Sequence, residues 1–176
     1  GVRLGGGISV SAHCQGRVID TNNALDGDGP VAPERAGTLP ASELVKLCFS
    51  GEYTQKEIMK LLAGKGGMVA HLGMNSMMDV AKKAAEGDAR CQLMLDALSY
   101  NVAKEVGAMA TVMKGKVDAI ILTGGIAHDK DVTAAIAERC SFIAPVVVYP
   151  GENELESLVM NALYVLRGTM EPRVYA

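Results

Sequence analysis

The stretch from Val117 to Tyr149 constrains the fold most. Val117-Asp-Ala-Ile-Ile-Leu-Thr123 is a short, nearly continuous apolar run, and Gly124-Gly125 follows at once. A second run, Phe142 to Tyr149, ends at Pro150-Gly151. Runs of this length and composition predict strands covered on both faces. Between them, Asp129 or Asp131 opens a helix through Ala137, and Glu152 to Arg167 reads as a helix after the second strand. Two strands joined by a helix run parallel, because a crossover returns the chain to the same edge.

The N-terminal part has a different periodicity. Arg3-Leu4 reads as the end of a strand, and Ile8 to His13 alternates with period two. Gln15-Gly16 is a turn signal, with Arg17 to Thr21 as the return strand. Asn22 to Pro40 is a long loop rich in Gly, Pro, Asn and Asp, of the kind that carries function. Pro40-Ala-Ser-Glu43 starts helical patterning, with Leu44, Leu47 and Cys48 on one stripe and Gly51 as its end. Thr54-Gln-Lys-Glu57 has capping-box spacing ahead of Ile58, Leu61 and Leu62. Gly64-Lys65-Gly66-Gly67 breaks that helix. Asn75 or Ser76 caps another through Glu86, and Asp88 caps a long one to Met113, with Leu93, Ala97, Val102, Val106 and Met109 as apolar positions. The order is hairpin, helices, then strand-helix-strand-helix. It predicts an α/β domain on a mixed sheet, antiparallel early and parallel late.

Composition excludes several classes. Apolar residues are 49% of 176 and the formal net charge is −3, so the chain is globular and carries no basic footprint for nucleic acid. No window approaches 18 consecutive apolar residues, and no signal peptide is evident. The four cysteines, Cys14, Cys48, Cys91 and Cys140, have no zinc-like spacing and read as reduced, mostly buried thiols. With no Trp and 4% aromatics, a stacking platform for sugars or single strands is not expected.

Two glycine clusters, Gly5-Gly6-Gly7 and Gly124-Gly125, follow strands. Glycine there lets backbone approach a ligand and turn N–H groups toward an anion, although a tight turn explains a lone pair equally well. Neither cluster, nor Gly64 to Gly67, has Walker A or dinucleotide-fingerprint spacing. Arg35 in the long loop could neutralise a phosphoryl group or stand in solvent. Glu152, Glu154 and Glu156 begin the last helix, where carboxylates serve the dipole or a magnesium ion. His13, His71 and His128 lack metal-like spacing.

Taken together, LGGGISVSAH, NNALDGDGPVAPERAGTLP, CFSGEYT, GKGGMVAHLG, KGKVDAIILTGGIAHD and SFIAPVVVYPGENELESL resemble butyrate kinase, with acetate kinase as the next relative. These blocks run over nearly the whole chain in that family's order. The resemblance implies an RNase-H-like domain of the actin-like, sugar-kinase-like superfamily. It also implies that residues 1–176 are a single C-terminal nucleotide-binding domain, with the N-terminal half absent. The implied reaction is butyrate plus ATP giving butyryl phosphate plus ADP, with magnesium, in the cytoplasm, by a homodimer.

By position, the resemblance assigns Gly5, Gly6, Gly7 and Ser9 to nucleotide phosphates and Arg35 to the transferred phosphoryl group. Gly124, Gly125 and Ile126 match the adenosine motif, and Glu154 falls near the acidic position linked to magnesium. The chain departs from the pattern at Arg3, where relatives usually have His, and at Asn75-Ser76-Met77-Met78, where relatives often carry an Asp and an Arg. His128-Asp129 also differs from the acetate-kinase form. Two alternatives stay open. One is a truncated or degenerate dimerising fragment without turnover, its contact made by the Asp88–Met113 helix. The other is a kinase for acetate, propionate or a branched short acid.

Overall fold

The computed structural model describes residues 1–172, except for the side chain of Glu154. Three strands come first: β1 (Val2–Leu4), β2 (Ile8–Cys14) and β3 (Arg17–Thr21). Five helices follow: α1 (Ala41–Cys48), α2 (Gln55–Leu62), α3 (Gly67–Leu72), α4 (Met77–Ala85) and α5 (Ala89–Val112). Then come β4 (Ile120–Gly124), a 3-10 turn over Gly125–His128, α6 (Lys130–Cys140), β5 (Val146–Pro150) and α7 (Glu154–Leu166). The sheet order is β3-β2-β1-β4-β5. β1, β2 and β3 pair antiparallel, whereas β4 runs parallel to both β1 and β5. The mixed α/β sheet expected from the sequence is therefore present.

Local chemistry sets the element ends. Gln15 and Gly16 both take positive φ in the β2–β3 turn, the backbone a two-residue hairpin requires. Thr54 and Glu57 close a reciprocal capping box at α2. Ser76 caps α4, Asp88 caps α5 and Asp129 caps α6, each through its own side chain. α3 has no counterpart in the sequence reading. It is too short for a periodic signal and begins inside the glycine run.

The core lies on one side of the sheet. Val2, Leu4, Ile8, Val10, Ile120 and Leu122 point into it and are buried. They meet Cys91, Leu95, Leu98 and Val102 of α5 and Val132 and Ile136 of α6 within one cluster. Removing such side chains from water contributes about 1.5–3 kcal/mol each.

Four expectations are corrected here. Only one face of β4 is covered by the described residues: Ile121 is 42% exposed, and Tyr149 of β5, which pairs with Thr123 on the same face, is exposed too. β5 starts at Val146, and Phe142 is 85% exposed. Pro145 has no N–H to give a ladder, so pairing begins with its carbonyl, which accepts from Ile120 N at 2.9 Å. Leu93 faces outward on α5, where Met94, Leu95 and Leu98 carry the buried stripe instead. Cys14 and Cys48 are exposed, so two of the four cysteines are buried rather than most. Burial pushes the Cys91 and Cys140 thiols upward, which keeps them inert.

Candidate functional site

β1 and β4 are parallel neighbours, so their C-terminal ends emerge side by side. That brings the two glycine clusters together although more than a hundred residues separate them. Gly124 takes φ 97°, and a Cβ there would overlap the main chain of Leu4. Gly124 also exchanges two hydrogen bonds with Gly151, at 3.1 and 3.0 Å. Glycine at 124 is thus required for close packing of β1, β4 and the β5 exit. Gly125 differs: a Cβ there would meet nothing within 4 Å. Ile126 and Ala127 turn inward and are buried, anchoring the turn behind it.

The Gly5–Gly7 loop is bordered by two arginines, Arg3 and Arg35, each with a carboxylate within 4 Å. Arg3 Nη2 lies 3.2 Å from Glu152 Oε1, and that oxygen would stand 3.5 Å from a Cβ on Gly5. The residue in the usual His position is therefore held by an acid from the segment after β5. On the other side, Arg35 lies against Gly7, where a Cβ would be 3.5 Å from its Cγ. Arg35 Nε donates to Ala24 O at 3.2 Å and Nη1 to Glu34 O at 3.3 Å. Ser9 is half-buried and pairs in register with Arg3, on the face away from the core.

The long loop is built, not loose. Asn22 is buried; its Oδ1 accepts from Val10 N, and its Nδ2 donates to Ile8 O and Asp28 O. The side chain thereby continues the β2 ladder where β3 has ended, and fixes the start of the loop. Farther on, Met68 N and Val69 N at the start of α3 donate to Ala32 O and Pro33 O, and Ala36 N donates to Leu62 O. A Cβ on Gly67, which has φ 60°, would overlap Ala32 O. The glycine run 64–67 therefore serves to seat the Arg35 loop.

Glu34 joins these parts. Its N–H donates to Gly6 O at 3.1 Å, and its carbonyl accepts from Gly64 N at 2.7 Å. Its Oε1 accepts from Asn75 Nδ2 at 2.6 Å, and its Oε2 is 3.7 Å from Arg35 Nη1. The sequence reading missed Asn22 and Glu34. A polar residue whose partners lie 41 positions away, as Asn75 does from Glu34, leaves no local pattern.

Gly5, Gly6, Gly7, Arg35, Gly124 and Gly125 thus share one end of the sheet, with Ser9 and Ile126 next to it. Glu154 opens α7, but its side chain lies outside the described residues. Among the described residues, no group of three His, Cys, Asp or Glu side chains is placed to hold a metal. Among them too, no helix is long and apolar enough to cross a membrane.

Comparison with known proteins gives the family. The model of the Acetokinase family matches residues 1–144. A protein of Phocaeicola vulgatus named probable butyrate kinase is 57% identical over 174 residues, 99% of this chain and 49% of the relative. Butyrate kinase 2 of Clostridium acetobutylicum is 52% identical over 172 residues, 98% of this chain and 48% of the relative. The chain spans about half the length of these curated relatives. Among solved structures, a propionate kinase from Francisella tularensis superposes with TM-score 0.78 at 25% identity, over 88% of this chain and 46% of that one. Porphyromonas gingivalis acetate kinase superposes with TM-score 0.80 at 21% identity, over 92% and 48%. These neighbours give the sheet and its helices the actin-like ATPase fold. The matched family model extends from the first glycine cluster through the second, and the chain belongs to the Acetokinase family.

Proposed function

We propose that residues 1–176 form the nucleotide-binding half of a short-chain carboxylate kinase, catalysing butyrate plus ATP to butyryl phosphate plus ADP. One observation carries the reading: the open backbone at Gly125, the Gly5–Gly7 loop and the Arg35 guanidinium lie at one end of the sheet. The names of the relatives at 52–57% identity favour butyrate. The Francisella tularensis neighbour, a propionate kinase, makes propionate the first competitor to assay.

In this reading the space over Gly125 admits the adenosine, with Gly124 and Ile126 holding the turn behind it. The N–H groups of Gly5, Gly6 and Gly7, with Ser9, face the phosphates. Arg35 neutralises charge on the transferred phosphoryl group, and pinning by Ala24 and Glu34 carbonyls limits the reorganisation this costs. Phosphoryl transfer asks for positioning and charge neutralisation more than covalent chemistry, which suits a site of main-chain donors and arginine. Magnesium fits the donor set only as an ion that keeps waters and phosphate oxygens and takes one or two carboxylates. Glu154 is the carboxylate proposed for it, with Glu152 next to the glycine loop. When bound, magnesium would offset phosphate charge. The cytoplasm is the proposed location. Leu93 and Tyr100, exposed on α5, are the proposed centre of a homodimer contact.

The test is acyl phosphate formation by the complete protein that contains this segment, assayed with butyrate, propionate and acetate. Calorimetric titration of the 176-residue chain with ADP and magnesium, beside Gly125→Asp, isolates the nucleotide half-site. Binding that the variant loses supports the reading. Formation of no acyl phosphate by the complete protein would sink it.

A further inference from the structure

We infer that Asn75 is a positioning residue that holds the Glu34 carboxylate off Arg35, leaving the guanidinium available to an anion. The inference rests on the proposed role of Arg35 as a phosphoryl ligand. Asn75 Nδ2 donates to Glu34 Oε1 at 2.6 Å, from the residue just before the α4 cap. Glu34 Oε2 is 3.7 Å from Arg35 Nη1. That separation is within electrostatic attraction but outside hydrogen-bond range. The guanidinium donates instead to two main-chain carbonyls, Ala24 O and Glu34 O.

A carboxylate oxygen 3.7 Å from a guanidinium is near enough to close into the two-pronged pair both groups favour. Such a pair would occupy the donors that an anion needs. The main chain of Glu34 is fixed on both sides, by Gly6 O and Gly64 N. The position of its carboxylate is then a matter of rotamer alone. Asn75 is the one side-chain hydrogen-bond donor to that carboxylate among the described residues. It is neutral, so it can hold an oxygen without adding a charge that competes for phosphate. The Asn thus takes a different part from the charged residues common in relatives at this stretch.

The two partners should then act with opposite signs. Removing the amide frees the carboxylate to close on Arg35 and weakens anion binding. Removing the carboxylate's charge frees Arg35 and strengthens it. The experiment is titration of the 176-residue chain with ADP and magnesium for wild type, Asn75→Ala, Glu34→Gln and the double variant, with the Arg35 Nε–H resonance followed by NMR. Asn75→Ala should weaken ADP binding about two- to fivefold and Glu34→Gln should tighten it by a similar factor, as for a partly exposed charge pair. The double variant should follow Glu34→Gln, because without the charge there is nothing to hold off. Weakening by both single variants would overturn the inference and make the contact a packing one. If wild type binds no ADP, the nucleotide reading is at fault, and the NMR arm decides this one. There, Asn75→Ala must shift the Arg35 resonance toward that of a closed ion pair; an unmoved resonance overturns the inference.

Discussion

Gly124 lies so close to Leu4 that a side-chain carbon at 124 would overlap the Leu4 main chain. This contact between parallel strands brings the two glycine clusters to one edge. It also separates two neighbouring glycines by role. Gly124→Ala combines overlap with a φ of 97°, and should destabilise the chain by roughly 2–4 kcal/mol in urea titration. Gly125→Asp enters open space and should change stability by less than about 0.5 kcal/mol. It should nevertheless abolish the calorimetric ADP signal. Equal destabilisation by both would show that Gly125 is a packing residue.

Arg35 should matter more for turnover than for binding. In the complete protein, if it is the proposed kinase, Arg35→Ala is expected to lower kcat about 100-fold or more, as loss of a group stabilising developing charge does. ADP affinity should fall far less, since in the proposed reading main-chain groups of the Gly5–Gly7 loop hold the other phosphates. Parallel losses in kcat and in affinity would assign Arg35 to ground-state binding.

The α5 helix offers a stability contrast within two turns. Leu98 is fully buried among the strands, whereas Leu93 is 64% exposed. Leu98→Ala should cost about 2–5 kcal/mol by chemical denaturation, with a cavity left behind. Leu93→Ala should lie within about 0.5 kcal/mol of wild type in the monomer. A stability of wild type that rises with protein concentration, and does not in Leu93→Ala, would support the dimer contact.

Acid should loosen the helix caps. Hydrogen bonds from Cys91 and Arg90 N–H hold the Asp88 carboxyl below its ordinary range, and the Thr54 N–H does the same for Glu57. Carboxyls depressed in the folded state contribute stability that is present above their unfolded values and lost as pH falls through the folded ones. Circular dichroism should therefore show helix loss below about pH 4. Asp88→Asn, which keeps a cap without the charge, should be less sensitive there. An unchanged acid midpoint in that variant would remove Asp88 from the acid response.

Much of this protein was legible before folding was considered. Ser76, Asp88 and the Thr54–Glu57 box mark helix starts because capping is a contact among residues three apart. The Gln15-Gly16 turn and the period-two run before it are equally local. Six blocks spread over nearly the whole chain, those around both glycine clusters among them, together suggested the family. What stayed hidden was set by partners distant in the chain. Leu93 and Leu95 are both leucines on one helix, and only the packing of α5 on the sheet decides which is buried. Asn22 looks like any loop asparagine until β3 ends and leaves it the open groups of Ile8 and Val10. Asn75 opens a stretch, Asn75 to Met78, read from sequence as a departure from the family pattern, and its bond to Glu34 ties it to the Arg35 loop. Caps and turns are decided by neighbours a few bonds apart, so the sequence states them. The meeting of Gly5–Gly7, Arg35 and Gly125 depends on strand order and loop closure, which no run of residues carries by itself.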